Sequence, residues 1–479
     1  MTGVLLLVLF CALAGLMYSG RASTLLALPG LALAITFVAA APAFFAAAPG
    51  PLWHRLLSAC SQSLHLGFAV VAAKGVPRLQ TAIFTVLLGG VFGQQLKLTG
   101  VAESLVRQVA ELGGDNPFLL TLLLTLCVSV LMTTLTGLGS VILLANVYLP
   151  VLLSLSLPPL LAASLFLVGT SLGGIFNLVN WSLYIDVLRI PLPTLWRYAI
   201  PFGGLYVAAL LVFMAVEFKR ARLPVGAGSL LRAVGLVAAL AAGAALLRWG
   251  LAVHPGLWPW LRRAFIALVV LLLAAPRRLS SGLLAPLLPI GLVLVLGWPI
   301  NAAFLFALIY LWWTAPVLAG GKSAAKILAQ STVEGLQSVS PAVGLMMGIG
   351  MLLVAVSQPV ASAAIEPLLR WALPRSGVGY VLFFSLLAPL ALYRGPLNLW
   401  GLGSGLMSLI QKTGMLADTR VFAAFMSTGQ IQGVCDPTNT QNVWLANQVK
   451  VDTQQILKMT LPYMWAVTVA GLLLGLYVR

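Results

Sequence analysis

The sequence predicts an all-α polytopic membrane protein, and composition and apolar runs carry that prediction. Hydrophobic residues make up 61% of the 479 residues, charged residues only 8%, and the mean hydropathy is +1.05. Soluble globular chains carry roughly 45–50% apolar and about 25% charged residues. A helix that crosses a bilayer core needs about 20 mostly apolar residues. Apolar runs near that length recur at residues 3–20, 24–45, 201–216, 302–320 and 463–478.

The net charge of +17 does not indicate a nucleic-acid partner. Basic residues stand at the ends of apolar runs, at 217–222, 276–278 and 320–326, and no basic segment is interleaved with aromatic residues. Lysine and arginine take such positions beside lipid headgroups. We therefore expect the lipid bilayer as the partner and a multi-pass location in a bacterial-type inner (plasma) membrane. The cysteines and histidines show no metal-ligand spacing, so we expect no metal and no cofactor.

The chain contains an internal repeat. The tetrapeptide Gly-Leu-Gly-Ser occurs at 137–140 and again at 401–404 inside two similar apolar segments. Downstream, the segment at 168–190 aligns with the segment at 427–451, and the next blocks align with Pro201 on Pro462. Four blocks match in the same order, which chance seldom produces.

The repeat predicts two halves of about five spans each, each with a re-entrant hairpin and a broken helix. Two odd-numbered repeats joined by a two-span linker must be inverted relative to each other, an arrangement typical of secondary transporters. The predicted parts are repeat 1 at 1–218 with a hairpin at 117–157 and a broken helix at 160–190, a linker at 219–281, and repeat 2 at 282–479 with a hairpin at 381–411 and a broken helix at 421–450.

Polar, glycine-rich breaks at matching positions of both halves predict the binding site. Lipid offers no hydrogen bonds, so non-helical backbone at membrane depth is tolerated only inside protein or beside a water-filled cavity. The ends of the half-helices suit a carboxylate, and side-chain oxygens suit a sodium ion. Asp436 stands in the second break, and an intramembrane acid is functional by default. Arg394 interrupts an apolar arm just before a hairpin tip and could hold a carboxylate with two hydrogen bonds.

Each assignment has a structural alternative. Arg394 could lie at the membrane interface or pair with a neighbouring acid, and Asp436 could cap a helix. Asp186 is expected to form an ion pair with Arg189, and residues 325–340 are expected to form an amphipathic interfacial helix. The substrate-binding candidates are Thr136, Gly137, Gly139, Ser140, Asn177, Asn180, Arg394, Asn398, Gly403, Ser404, Thr438, Asn439 and Thr440. The ion-coupling candidates are Asp436 and Asn439, for Na⁺ or H⁺, and no catalytic residue is expected.

These segments resemble the ion transporter superfamily of secondary carriers. Residues 131–164 are similar to the hairpin of C4-dicarboxylate permeases, and the stretch 436–458 is similar to the second broken-helix region of gluconate permeases. The Thr-Asn-Thr at 438–440 resembles the Ser-Asn-Thr signature of divalent-anion/sodium symporters, but it lies in the break rather than at the tip, so that role is not carried over. The resemblance extends to citrate permeases and implies an elevator-type, usually dimeric carrier of small organic anions.

The sequence therefore predicts a symporter of a small organic anion such as a carboxylate, driven by a proton or sodium gradient. A cation/proton antiporter is the alternative within transport, with Asp436 binding the ion and Arg394 as its partner. A membrane-embedded enzyme acting on lipid-linked substrates is the alternative of another class. Such enzymes usually carry acids in large extramembrane loops, and this chain has only ten Asp and Glu residues. We therefore expect no enzymatic activity, and a homodimer.

Overall fold

The computed structural model describes residues 2–19, 21–114, 116–254, 256–274, 282–318 and 323–478, which form helices without any β-strand. The basic run at 276–278 and part of the run at 320–326 lie outside the described residues. The helices are α1 Thr2–Tyr18, α2 Thr24–Ala47, α3 Leu52–Leu98, α4 Val101–Gly113, α5 Pro117–Leu131, α6 Leu138–Ser154, α7 Pro159–Ile175, α8 Leu178–Leu188, α9 Leu192–Arg220, α10 Ala227–Val253, α11 Leu257–Ala274, α12 Leu288–Leu296, α13 Ile300–Leu318, α14 Ala324–Ser357, α15 Pro359–Ala372, α16 Gly377–Leu387, α17 Gly403–Lys412, α18 Asp418–Cys435, α19 Thr440–Gln448 and α20 Thr453–Leu474.

Length and composition confirm the prediction of an all-α polytopic membrane protein. Seven helices among the described residues are long and apolar enough to cross a membrane, or eight if α7 and α8, bent by 49° at their break, count as one span. Helix α11 is almost entirely uncovered, and its Trp260 and Leu271 are each 66% exposed. Large apolar side chains are stable at such an outer surface when hydrocarbon, not water, surrounds the helix.

Two long helices form the centre of the fold. Helix α3 runs for 47 residues and includes a π-helical turn at Leu66–Ala72 and a 3-10 turn at Val76–Leu79. Helix α14 runs from Ala324 to Ser357 and packs along α3 and α2. The expected interfacial helix at 325–340 is therefore the first half of a longer helix. The prediction was wrong about its end because the polar face gives way, without a break, to an apolar one.

Glycines let the backbones of α3 and α14 touch. A Cβ atom added to Gly75 would lie 2.5 Å from the Cα of Met351, and one added to Gly335 would lie 2.5 Å from the Cα of Val91. Real Cβ atoms do not approach backbone so closely, so a larger residue requires the helices to separate. Small residues at such crossings allow the close packing that holds helices together in lipid.

The two contacts are related by a constant shift along the sequence. Gly335 lies 260 residues after Gly75, and Met351 lies 260 residues after Val91. Exchanging the halves of the chain therefore turns one contact into the other, as a two-fold axis between two repeats would do. The relation supports the two-repeat interpretation, which remains a prediction.

Asp186 caps a neighbouring helix instead of pairing with Arg189. No ion pair joins these two residues in the described part of the chain. The Ala82 N–H donates to Asp186 Oδ2 at 2.9 Å, and the Arg78 guanidinium donates to the Asp186 carbonyl at 2.5 Å. The 3-10 turn just before Ala82 leaves N–H groups of α3 without acceptors, and the carboxylate supplies one. Arg189 therefore acts on Asp186 only by a longer-range electrostatic attraction and not as the expected ion pair, and the direct hydrogen-bond partners of Asp186 come from α3.

We expect Gly75→Ala and Gly335→Ala to lower the free energy of unfolding by about 1–3 kcal/mol each, because the added methyl group overpacks a backbone contact. Thermal unfolding of the detergent-purified protein measures the effect. The control is Gly204→Ala in α9, where no atom lies within 4 Å of the added Cβ. That variant gains up to about 1 kcal/mol from helix propensity. Equal melting temperatures for the three variants would contradict the close backbone contact of α3 and α14 at Gly75 and Gly335.

Candidate functional site

The first tip, residues 132–137, joins α5 to α6 and leaves the start of α6 uncapped. Gly137 precedes α6 with φ of +82°, a conformation that favours glycine, and no side chain caps the helix. The first N–H groups of a helix have no acceptor within the helix. The hydroxyl of Ser140 donates to the Thr136 carbonyl at 2.9 Å and keeps its lone pairs available. This helix start is therefore suited to an acceptor, above all an anion.

Asn177 joins the first tip to the first break, residues 176–177 between α7 and α8. Its Oδ1 accepts the N–H groups of Val179 and Asn180 and so caps α8. Its Nδ2 donates to the carbonyls of Met132 at 2.7 Å and Leu135 at 3.0 Å. Tip and break thus form one hydrogen-bonded unit, and the primary role of Asn177 in this structure is to hold it together.

The second break, residues 436–439 between α18 and α19, contains a completely buried carboxylate. Asp436 is 0% exposed, and its Oδ1 accepts the Thr438 N–H at 2.9 Å and the Thr438 hydroxyl at 2.7 Å. Its Oδ2 accepts only a long bond, 3.4 Å, from the Arg394 N–H. No ion pair to Asp436 occurs among the described residues. A buried carboxylate normally needs a compensating charge, a metal or a proton.

The second tip, residues 395–402, contacts the first break. The Trp400 N–H donates to Asn398 Oδ1 at 2.9 Å, and the indole Nε1 of Trp400 donates to Asn180 Oδ1 at 3.2 Å. Tyr393 and Arg394, just before this tip, have φ of +54° and +58°. Two successive left-handed residues other than glycine store backbone strain where the chain turns.

The guanidinium of Arg394 forms a hydrogen bond with Thr24 and no salt bridge with Asp436. Its Nη1 donates to Thr24 Oγ1 on α2 at 3.0 Å, and only its backbone N–H reaches the carboxylate. The side chain is half-buried and not engaged by any acid within the described residues. A contact between Arg394 and an anion remains a prediction.

The remaining candidates lie at the same four interruptions. Gly403 begins α17, the Ser404 hydroxyl donates to the Gly401 carbonyl at 3.0 Å, and Thr440 is the first residue of α19. Asn439 precedes α19, but its side chain makes no capping hydrogen bond. The structure thus places the predicted residues at two tips and two breaks, with Asn180 and Trp400 linking a tip of one half to the break of the other.

The broken helices α7 and α18 cross close to both breaks. The Ser171 hydroxyl donates to Gln430 Oε1 at 2.8 Å, and a Cβ added to Gly433 would lie 2.9 Å from Ser171 Oγ. Gly433 comes 262 residues after Ser171, close to the shift of 260 residues at the crossing of α3 and α14, and this supports the predicted repeat. Both interruptions therefore flank one crossing inside the bundle.

Two asparagines occupy the same place in both halves. Asn180 and Asn442 are each the third residue of the helix after a break. Asn180 Nδ2 donates to the Gly174 carbonyl at 3.0 Å, and Asn442 Nδ2 donates to the Asp436 carbonyl at 2.9 Å, in both cases six residues back. Asn442 is not among the substrate-binding or ion-coupling candidates predicted from the sequence. The shared Asn-x-x-Asn spacing at 177–180 and 439–442 could have revealed it.

Solved structures give the comparison that decides the fold. No protein-family model and no curated protein matches the chain. The crystal structure of the Alcanivorax borkumensis YdaH transporter, described as having an unusual topology, is similar with a TM-score of 0.56 and 16% sequence identity. The similarity covers 94% of this chain and 98% of that one.

This chain has a transporter-like membrane fold. The similarity extends over nearly the whole of both chains, so it concerns the complete helical arrangement and not a single hairpin. At this level of identity it shows the fold alone. Substrate, coupling ion and direction of transport must be argued from the residues of this chain.

We expect Asn177→Ala to lower the free energy of unfolding by about 2–4 kcal/mol, because it removes a helix cap of about 1 kcal/mol and leaves two buried carbonyls without donors. The matched control is Asn439→Ala, at the equivalent position before α19, where no capping bond is lost. Thermal unfolding in detergent should show a clear loss for the first variant and little change for the second. Equal losses would contradict the proposed difference between the two breaks.

Proposed function

We propose that this chain is a secondary active transporter that moves a small organic anion, such as a carboxylate, together with Na⁺ or H⁺. The transporter-like fold supports transport in general. The observation that carries the finer proposal is the combination of one buried carboxylate, Asp436, with an uncapped helix start after Gly137. The carboxylate suits a cation, and the helix start suits an anion.

Asp436 is suited to bind and release the coupling ion. A buried carboxylate that accepts only hydrogen bonds from neutral groups carries an uncompensated charge. Either a proton or a sodium ion removes that charge, and sodium finds further oxygens in Thr438 and Asn439, as the unwound segments of other transporters provide. Asp436 Oδ2 also accepts the Arg394 N–H. An ion bound to Asp436 therefore alters the hydrogen bond that restrains Tyr393 and Arg394, the two residues with positive φ before the second tip.

The anion is proposed to bind between the tips and the breaks. The helices α6, α8, α17 and α19 all begin there, and helix starts carry partial positive charge and N–H donors. Asn177 and Asn398 are largely committed to holding the backbone, so in this proposal they shape the site. Arg394 supplies positive charge beside the second tip and is proposed to attract the anion.

We further propose that the two halves are inverted repeats and that tips and broken helices move together relative to α3 and α14. The constant shifts of 260 and 262 residues between equivalent contacts support the repeats. The hydrogen bonds from Asn177 to the first tip support joint movement of tip and break. A homodimer is proposed by resemblance.

The deciding experiment measures uptake of radiolabelled carboxylates into proteoliposomes under an imposed inward Na⁺ or H⁺ gradient. The wild-type protein should accumulate at least one carboxylate with one of the two gradients. Asp436→Asn keeps the size and the Oδ1 acceptor but not the charge, so gradient-driven accumulation should fall at least tenfold. The matched control is Asp418→Asn, at the exposed start of the same helix, which should transport normally.

Other outcomes distinguish the alternatives. Gradient-driven exchange of Na⁺ for H⁺ that needs Asp436 but no organic anion would contradict symport and favour the antiporter. Normal accumulation by Asp436→Asn would contradict the role of Asp436. Uptake that persists in Arg394→Ala with unchanged affinity would remove Arg394 from the anion site. Melting temperatures of the variants show whether each one is folded.

A further inference from the structure

A buried amide without a partner lies beside the first tip. Gln94 of α3 is 7% exposed, and its Oε1 has no hydrogen-bond partner in the described part of the chain. Burying an amide oxygen without a donor destabilises the fold, and most buried polar groups in proteins are satisfied. The unpaired oxygen of Gln94 therefore lowers the stability of the ligand-free protein, and a ligand that donates a hydrogen bond to it would remove this destabilisation.

The amide of Gln94 lies against the uncapped start of α6. A Cβ added to Gly139, the second residue of α6, would lie 3.0 Å from Gln94 Nε2. The start of α6 carries no side-chain cap after Gly137. An unpaired acceptor and a helix start without a side-chain cap thus lie side by side. The helix start needs an acceptor, and the oxygen of Gln94 needs a donor.

Asn442 shows the same deficit nearby, and its counterpart shows how the deficit is met. Asn442 is 2% exposed, its Oδ1 lacks a partner among the described residues, and its helix α19 packs against α6. In the other half, the corresponding Asn180 Oδ1 accepts the indole N–H of Trp400. The first tip has Thr136 where the second has Trp400, 264 residues later. The indole donor of the second tip thus has no equivalent at the first tip, where the shorter Thr136 side chain stands.

We propose that Gln94 is a substrate-binding residue that accepts a hydrogen bond from the transported anion itself. The carboxylate of the substrate accepts from the first N–H groups of α6. A hydroxyl group on a nearby carbon of the same molecule donates to Gln94 Oε1, and Asn442 Oδ1, on the helix that packs against α6, is available as a second acceptor. The inference rests on the proposed function. It narrows the substrate from carboxylates in general to carboxylates that carry a hydrogen-bond donor.

Matched pairs of acids test this inference. Binding to the purified wild-type protein is measured by calorimetry for acetate against glycolate, propionate against lactate, and succinate against malate. For the pair whose size fits the site, we expect the hydroxyl-bearing member to bind at least about tenfold more tightly, because buried polar groups built to pair with a hydroxyl reject the analogue that lacks it. Gln94→Met keeps the length of the side chain and removes the acceptor, so the ratio should fall to about one.

The neighbouring residue provides the control. Gln95 is also buried, and its Oε1 likewise lacks a partner among the described residues, but its Nε2 donates to the Leu308 carbonyl at 3.4 Å, so its amide lies against α13 and not against the first tip. Gln95→Met should therefore keep the preference for the hydroxyl-bearing acid. Gln94→Met should melt no lower than the wild type, because it removes an unpaired amide, and Gln94→Leu serves as a second variant if Gln94→Met does not fold.

The outcomes separate this inference from the proposed function. Binding of carboxylates without any preference for a donor would overturn the role of Gln94 and leave the anion carrier intact. A preference that survives in both Gln94 variants would do the same. Absence of binding by every acid in the panel would overturn the proposed anion transport and this inference with it.

Discussion

The rest of the structure depends on the close crossing of α3 and α14. Apolar burial does not drive two helices together when the solvent is itself hydrocarbon, so close backbone contact must do so. Gly75 and Gly335 make that contact possible on one side of α3. Further along the same helix, a Cβ on Gly89 would lie 3.3 Å from Thr136 Cγ2 and one on Gly93 would lie 3.1 Å from Ser140 Oγ. Gly75 thus allows α14 to pack closely against α3, and Gly89 and Gly93 allow the first tip and the start of α6 to pack closely against the same helix.

The breaks show how a protein satisfies its backbone where lipid cannot. Asn177 and Asn442 each use their amide groups to bind carbonyls that an unbroken helix would have satisfied itself. Where such partners are complete, the segment is structural, as at the first break. Where they are incomplete, as at Asp436 and Gln94, we propose that an ion or the substrate supplies the missing partner.

Composition and local spacing predicted the membrane class and placed the interruptions near their observed positions, because glycine, proline and asparagine act on the backbone locally. They did not predict that α3 begins at Leu52, since residues 52–65 mix histidine, arginine and serine with leucine. Gln94 was not predicted as a site residue, because a glutamine near the end of an apolar helix has no distinctive sequence pattern. Its position beside Gly139 appears only in the folded chain. Contacts such as Trp400 with Asn180, 220 residues apart, depend on the assembled fold.

The hydrogen bond between Trp400 and Asn180 has a kinetic meaning as well as a structural one. It runs from the second tip to the first residues of α8, so it crosses between the two halves of the chain. A movement of the second tip alone, as distinct from the joint movement of tips and broken helices proposed above, has to break this bond. The bond therefore contributes to the activation free energy of the motion, and a change in its strength alters how fast the tip opens independently of how tightly a solute is held.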